Sequence, residues 1–81
     1  MRIEVNSVNE FCKLFRMNVL IMTLKEVEEL TGVKVPTLSS FENGRSTNIK
    51  HLNLYYSLGN EEQREYFKNN IPYEYRGVIV W

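Results

Sequence analysis

Between Lys34 and Lys50 the chain carries a set of side chains suited to gripping a phosphate polymer. Lys34, Arg45 and Lys50 are cations set against a single acid, Glu42, and cations neutralise phosphates. Thr37, Ser39, Ser40 and Asn43 add hydroxyl and amide groups that bond to phosphate oxygens or base edges. Val35 and Pro36 can touch only methyl groups. This is the chemistry of binding. The chain contains no Asp, no Ser-His pairing with a third member and no glycine loop to cradle a phosphate, so an enzyme is not expected. His51 is the sole histidine and has no second His and no Cys nearby, so no metal or cofactor is expected, and the ring should be exposed on a helix. The single Cys12 excludes an intramolecular disulfide and falls within an apolar helical pattern, where a packed thiol is the expectation.

These residues need elements to position them, and the stretch from Thr23 to Arg45 supplies two short helices. Thr23 can cap a helix starting at Leu24, with Glu26 placed for the reciprocal bond of a capping box. Leu24, Val27 and Leu30 or Thr31 make its apolar stripe. Gly32 follows at once, as a sharp turn needs a residue that adopts positive φ without strain. Val33 should point back to the core. A second helix then runs from Lys34 to Glu42, with Pro36 tolerated in its first turn and Leu38 and Phe41 inward. Lys34, Val35, Pro36, Thr37, Ser39 and Ser40 fall on or near the other side. Asn43-Gly44 ends it. Two helices about a tight turn form a helix-turn-helix pattern.

Thr-Gly-Val at 31–33, Val-Pro-Thr-Leu-Ser at 35–39 and Phe-Glu-Asn-Gly-Arg at 41–45 resemble the Cro/phage-repressor (XRE) family of helix-turn-helix proteins, over roughly Ser7 to Leu58. The resemblance implies a second helix laid in the DNA major groove. It implies that Val35, Pro36 and Ser40 face base edges and that Thr37, Asn43 and Arg45 meet phosphates. Two positions depart from the pattern. Leu24 stands where the family commonly has a DNA-bonding glutamine. Glu28 stands where a small residue usually packs, so it should either tilt outward or cost packing, and it brings negative charge toward the DNA face.

The other segments read as scaffold. Ser7 and Glu10 form a capping box for a first helix carrying Val8, Phe11, Cys12, Leu14 and Phe15. Arg16 to Met22 is apolar for a connection and should extend that helix and pack under the turn; a partner-binding patch is the rarer alternative. Ile49 to Leu58 is a fourth helix with Ile49, Leu52, Tyr55/Tyr56 and Leu58 inward. Asn60, with Gln63 at the box position, opens a fifth from Glu61 to Asn69. Ile71-Pro72 breaks it. The tail holds Tyr73, Tyr75, Val78, Val80 and Trp81, a β-forming run too apolar for water. A strand over Arg76 to Trp81 is expected to pair with Met1 to Val5, or to meet a second subunit. The expected fold is therefore mainly α: a single five-helix, repressor-like helix-turn-helix domain over residues 1–81, with a core at 7–70, a tail at 71–81 and short N- and C-terminal β-strands.

Ten basic residues balance ten acidic ones, an unusual ratio for a DNA binder. No cationic apolar leader and no run of about 18 apolar residues is present, so a cytoplasmic, membrane-free protein is expected. The first expectation for function is a prokaryotic or phage-type transcriptional regulator that binds a palindromic operator in double-stranded DNA as a homodimer, with DNA contacts from Lys34, Val35, Pro36, Thr37, Ser39, Ser40, Asn43, Arg45 and Lys50. The alternative is a helix-turn-helix fold that acts by binding another protein, as an antirepressor or a phage inhibitor of a host protein. Leu24, Glu28, the zero net charge and the aromatic tail favour that alternative.

Overall fold

In a computed structural model, residues 7–45, 48–72 and 75 are described. They form five α-helices: α1 (Val8–Leu14), α2 (Leu24–Thr31), α3 (Val35–Glu42), α4 (Ile49–Ser57) and α5 (Glu61–Asn70), with no strand among the described residues. The strands expected at Met1 to Val5 and Arg76 to Trp81 lie outside the described residues, as do Tyr73, Val78, Val80 and Trp81. Tyr75 is described. It is half-buried and packs against the core of its own chain, with its N–H on the Pro72 carbonyl at 3.0 Å.

The helix starts follow the side-chain caps. Ser7 Oγ accepts from the Glu10 N–H (3.2 Å) at the head of α1. Thr23 and Glu26 form the full reciprocal box at α2, at 3.1 and 3.0 Å. Asn60 and Gln63 do the same at α5, at 2.9 and 2.8 Å. Each removes orphan N–H groups from a helix end, which stabilises it by about 1 kcal/mol.

The extension expected after α1 is present, with a different geometry. Phe15–Leu20 continues α1 as a wide π-helical segment. It ends at Ile21, whose backbone is left-handed at φ 54°, ψ 54°. A β-branched residue at positive φ is a genuine outlier and costs about 1–3 kcal/mol. The reversal brings the Met22 carbonyl to Arg16 Nη1 at 2.7 Å.

Phe11, Phe15 and Phe67 form the centre of the core, with Phe67 edge-on to both others at centroid distances of 5.1 and 4.9 Å. Phe41 and Tyr55 extend it under α3 and α4, 5.5 Å apart. Cys12 is fully buried, as its pattern implies, and burial first, with the nearby Glu42 second, pushes its thiol well above the usual range. On α2 the inward position falls to Thr31, whose hydroxyl donates to the Val27 carbonyl at 2.7 Å, while Leu30 is 65% exposed. Ile49 corrects the expectation for α4: it is in the first turn and 48% exposed, with Leu52 and Tyr55 taking the buried stripe.

Candidate nucleic-acid interface

The turn between α2 and α3 is made by Gly32 at φ 80°, ψ −4°. Its N–H closes α2 on the Glu28 carbonyl at 2.8 Å. Val33 then packs against the core as expected. Lys34 takes the cap position of α3 rather than lying inside it, and Pro36 is in the first turn.

The inner side of α3 is fixed from behind. Leu38 and Phe41 are fully buried, and Asn9 Nδ2 donates to the Phe41 carbonyl at 2.7 Å. Glu42 is buried too. It accepts from Arg16 Nε (2.7 Å) and Nη2 (3.0 Å), and from the Tyr55 hydroxyl at 2.5 Å. Arg16 Nη1 donates to the Met22 carbonyl, so the guanidinium holds Glu42 with two prongs and the backbone with a third bond. The Glu42 bond raises the Arg16 pKa further. For Tyr55, burial comes first and the bond to Glu42 second in pushing the phenol far above its usual value. This network joins the π segment, α3 and α4. Its signal in the sequence was spacing. Arg16 follows Cys12 by four residues and Glu42 follows Leu38 by four, so both charges stand on buried stripes and require partners.

The outer side of α3 presents the side chains expected there. Lys34, Pro36 and Thr37 are exposed, while Val35, Ser39 and Ser40 are half-buried. Asn43 is exposed and its amide donates to Ser39 Oγ at 3.3 Å. Gly44, at φ 79°, folds the chain so that the Arg45 N–H reaches the Ser40 carbonyl at 3.0 Å, which sets Arg45 beside the end of α3. Lys50 is exposed in the first turn of α4, its N–H capped by Asn48 at 2.9 Å.

Glu28 corrects the sequence expectation. Its Oε1 accepts from the Val35 N–H at 2.8 Å, and its Oε2 meets Lys25 Nζ at 2.9 Å. The Lys25 contact first, and the Val35 bond second, hold its carboxyl below the usual range. The carboxylate therefore caps the start of α3 from α2. Pro36 has no N–H, and the Thr37 N–H bonds to the Lys34 carbonyl at 3.0 Å. The first amides of α3 are thus occupied, which leaves none of them free at this end to hold an anion.

His51 is not freely exposed. It is half-buried, edge-on to Phe41 at 5.1 Å, and its buried Nδ1 has no hydrogen-bond partner among the described residues. Burial lowers its pKa below 6.5. A depressed folded value means that the neutral ring favours the fold. Its contribution is complete above the unfolded pKa of about 6.5 and is lost as pH falls through the folded value. Thermal melts from pH 7.5 to 5 should show this loss, and His51→Gln should flatten the profile in that window. An identical profile in the variant would remove the ring from the account.

No group of three His, Cys, Asp or Glu residues among the described residues could hold a metal ion, and no helix among them is long and apolar enough to cross a membrane. Comparison with family models, curated proteins and solved structures finds no match.

Proposed function

We propose that this domain is a DNA-binding transcriptional regulator of prokaryotic or phage type that works in the cytoplasm, with α3 as the helix laid in the major groove. One observation carries the proposal. Gly32 sets α2 against α3 so that α3 offers an outward polar face, while Arg45 lies beside its end. Lys34, Thr37, Asn43, Arg45 and Lys50 would position the duplex through phosphates, with Ser39 holding the Asn43 amide. Val35, Pro36 and Ser40 would meet base edges. No Arg, Asn or Gln on α3 reads bases bidentately, so sequence-dependent DNA shape would supply part of the specificity. A palindromic operator calls for two copies, and Tyr73, Tyr75, Val78, Val80 and Trp81 are the proposed contact between them, with half-buried Tyr75 also packed against its own core.

The test is titration of fluorescent DNA flanking the protein's own gene, across salt concentrations. Arg45→Ala and Lys50→Ala should weaken all sequences alike and make the log–log salt slope shallower by roughly one unit each. Ser40→Ala and Val35→Ala should change preference among sequences and leave the slope alone. No binding at low salt and micromolar protein would overturn the proposal.

A further inference from the structure

The head of α3 is unlike the other α-helix starts. α1, α2, α4 and α5 are each opened by the side chain of their own cap residue, Ser7, Thr23, Asn48 and Asn60, whereas Lys34 supplies no such bond to α3. The first N–H of α3, on Val35, is taken instead by Glu28 Oε1 of the neighbouring helix at 2.8 Å. The Glu28 carbonyl takes the Gly32 N–H at 2.8 Å. One residue of α2 thus holds both sides of the turn, with its backbone on one side and its side chain on the other. The tail of α3 is held separately, by Glu42 on Arg16. The two bonded carboxylates fix the tilt of α3 at both ends.

A bare carboxylate at the head of a DNA-reading helix would repel phosphates. Glu28 is not bare. Its side chain is 17% exposed, and Lys25 Nζ lies on Oε2 at 2.9 Å with the lysine side chain 68% exposed, so the cation stands on the solvent side of the pair. The bond to Lys25 is the largest influence holding the Glu28 carboxyl below its usual range, and the charge of Lys34 adds to it. Two cations therefore stand against one carboxylate. Lys25 is in the first turn of α2, where the helix dipole favours acids, so it gains nothing from its own helix end. Its partner three residues on is what it serves.

We propose, on the reading of α3 as the major-groove helix, that Glu28 is a positioning residue for DNA discrimination: its carboxylate sets the angle at which α3 meets the bases, and Lys25 screens its charge from the phosphates. Position 28 then works for sequence reading and not against it. Phosphate contacts from Lys34, Arg45 and Lys50 tolerate a small tilt of α3, because a flexible cation follows a phosphate. Base-edge contacts from Val35, Pro36 and Ser40 do not, because short side chains cannot follow. Removing the Glu28 charge alone and removing its bond to Val35 should therefore have opposite effects.

The test titrates the full chain against two fluorescent duplexes, one selected by the wild-type protein from a random-sequence pool and one of scrambled sequence. Glu28→Gln keeps an oxygen for the Val35 N–H and loses the charge, so it should bind both duplexes more tightly with the preference between them unchanged. Glu28→Ala loses the oxygen as well. It should lose at least about tenfold of that preference, the scale of one mismatched base pair, while its affinity for the scrambled duplex does not fall. A variant that merely folds less well would weaken on both duplexes alike. Should Glu28→Ala fail to fold, Glu28→Asp, which keeps the charge but is one methylene short of Val35, should lose the same preference. Lys25→Gln bares the carboxylate and should weaken both duplexes equally, and adding Glu28→Gln should restore them, since the double variant has the wild-type net charge. Wild-type preference in Glu28→Ala, or in Glu28→Asp in its place, would overturn the positioning role. A Lys25→Gln defect that Glu28→Gln does not repair would make Lys25 itself a phosphate contact and overturn the screening role. A wild-type chain that binds no duplex at low salt would overturn the DNA reading and this proposal with it, whereas the preceding two outcomes leave the DNA reading intact.

Discussion

Glu42→Ala should cost about 3–5 kcal/mol, enough to leave a domain of this size mostly unfolded at physiological temperature. The loss comes from what remains. Arg16 is 7% exposed and would keep its charge with two of its three bonds gone, and the Tyr55 hydroxyl would lose its acceptor. Urea melts followed by far-ultraviolet circular dichroism measure it. Tyr55→Phe, which leaves the ion pair intact, should cost only about 1–1.5 kcal/mol. The double change Arg16→Met with Glu42→Leu should recover most of the Glu42→Ala loss, since replacing a buried pair by apolar side chains is commonly neutral or better. A Glu42→Ala domain within about 1 kcal/mol of wild type would mean that the network contributes little.

The second large effect is at the turn. Gly32→Val should cost more than about 1 kcal/mol, because a left-handed backbone disfavours side chains by about 1–2 kcal/mol and β-branching adds to that. The cost is purely conformational: a Cβ built on Gly32 meets nothing within 4 Å. Gly32→Asn is the decisive control. Asparagine is close to valine in size yet tolerates the left-handed region, so it should retain most of the stability. Equal melts for the Val and Asn variants would show that φ 80° is not what selects glycine.

What was legible in the chain was mostly local. Ser7, Thr23 with Glu26, and Asn60 with Gln63 act within three residues of themselves, and each caps the helix its spacing implied. Gly32 was equally local. The Glu28–Val35 bond spans a turn whose geometry had to be known first, so the carboxylate seemed a liability when it is a cap. The Arg16–Glu42 pair is 26 residues apart and was hidden for a different reason: Arg16 lies in a run apolar enough to pass for core packing. The wide turn at 15–20 and the left-handed Ile21 had no local signal, since no glycine or asparagine marks that reversal. On the outer side of α3 Lys34, Pro36 and Thr37 are exposed, as the pattern implied, while Val35, Ser39 and Ser40 are half-buried. His51 and Ile49 were exchanged in exposure, because one α4 stripe can be drawn through either when the partner helix is unknown.

The bond from Glu28 to the Val35 N–H also ties two clocks together. α2 fully buries only Val27, whereas α3 is held by Leu38, Phe41 and Glu42. Local opening should therefore begin at α2, and amide hydrogens there should exchange with solvent long before those of the α3 interior. The Val35 amide belongs to α3 but is protected by α2, so its exchange should follow the faster helix. Whatever seats itself on the first turn of α2 would slow that one amide at the head of α3. By linkage, whatever grips α3 in its capped form would in turn steady α2.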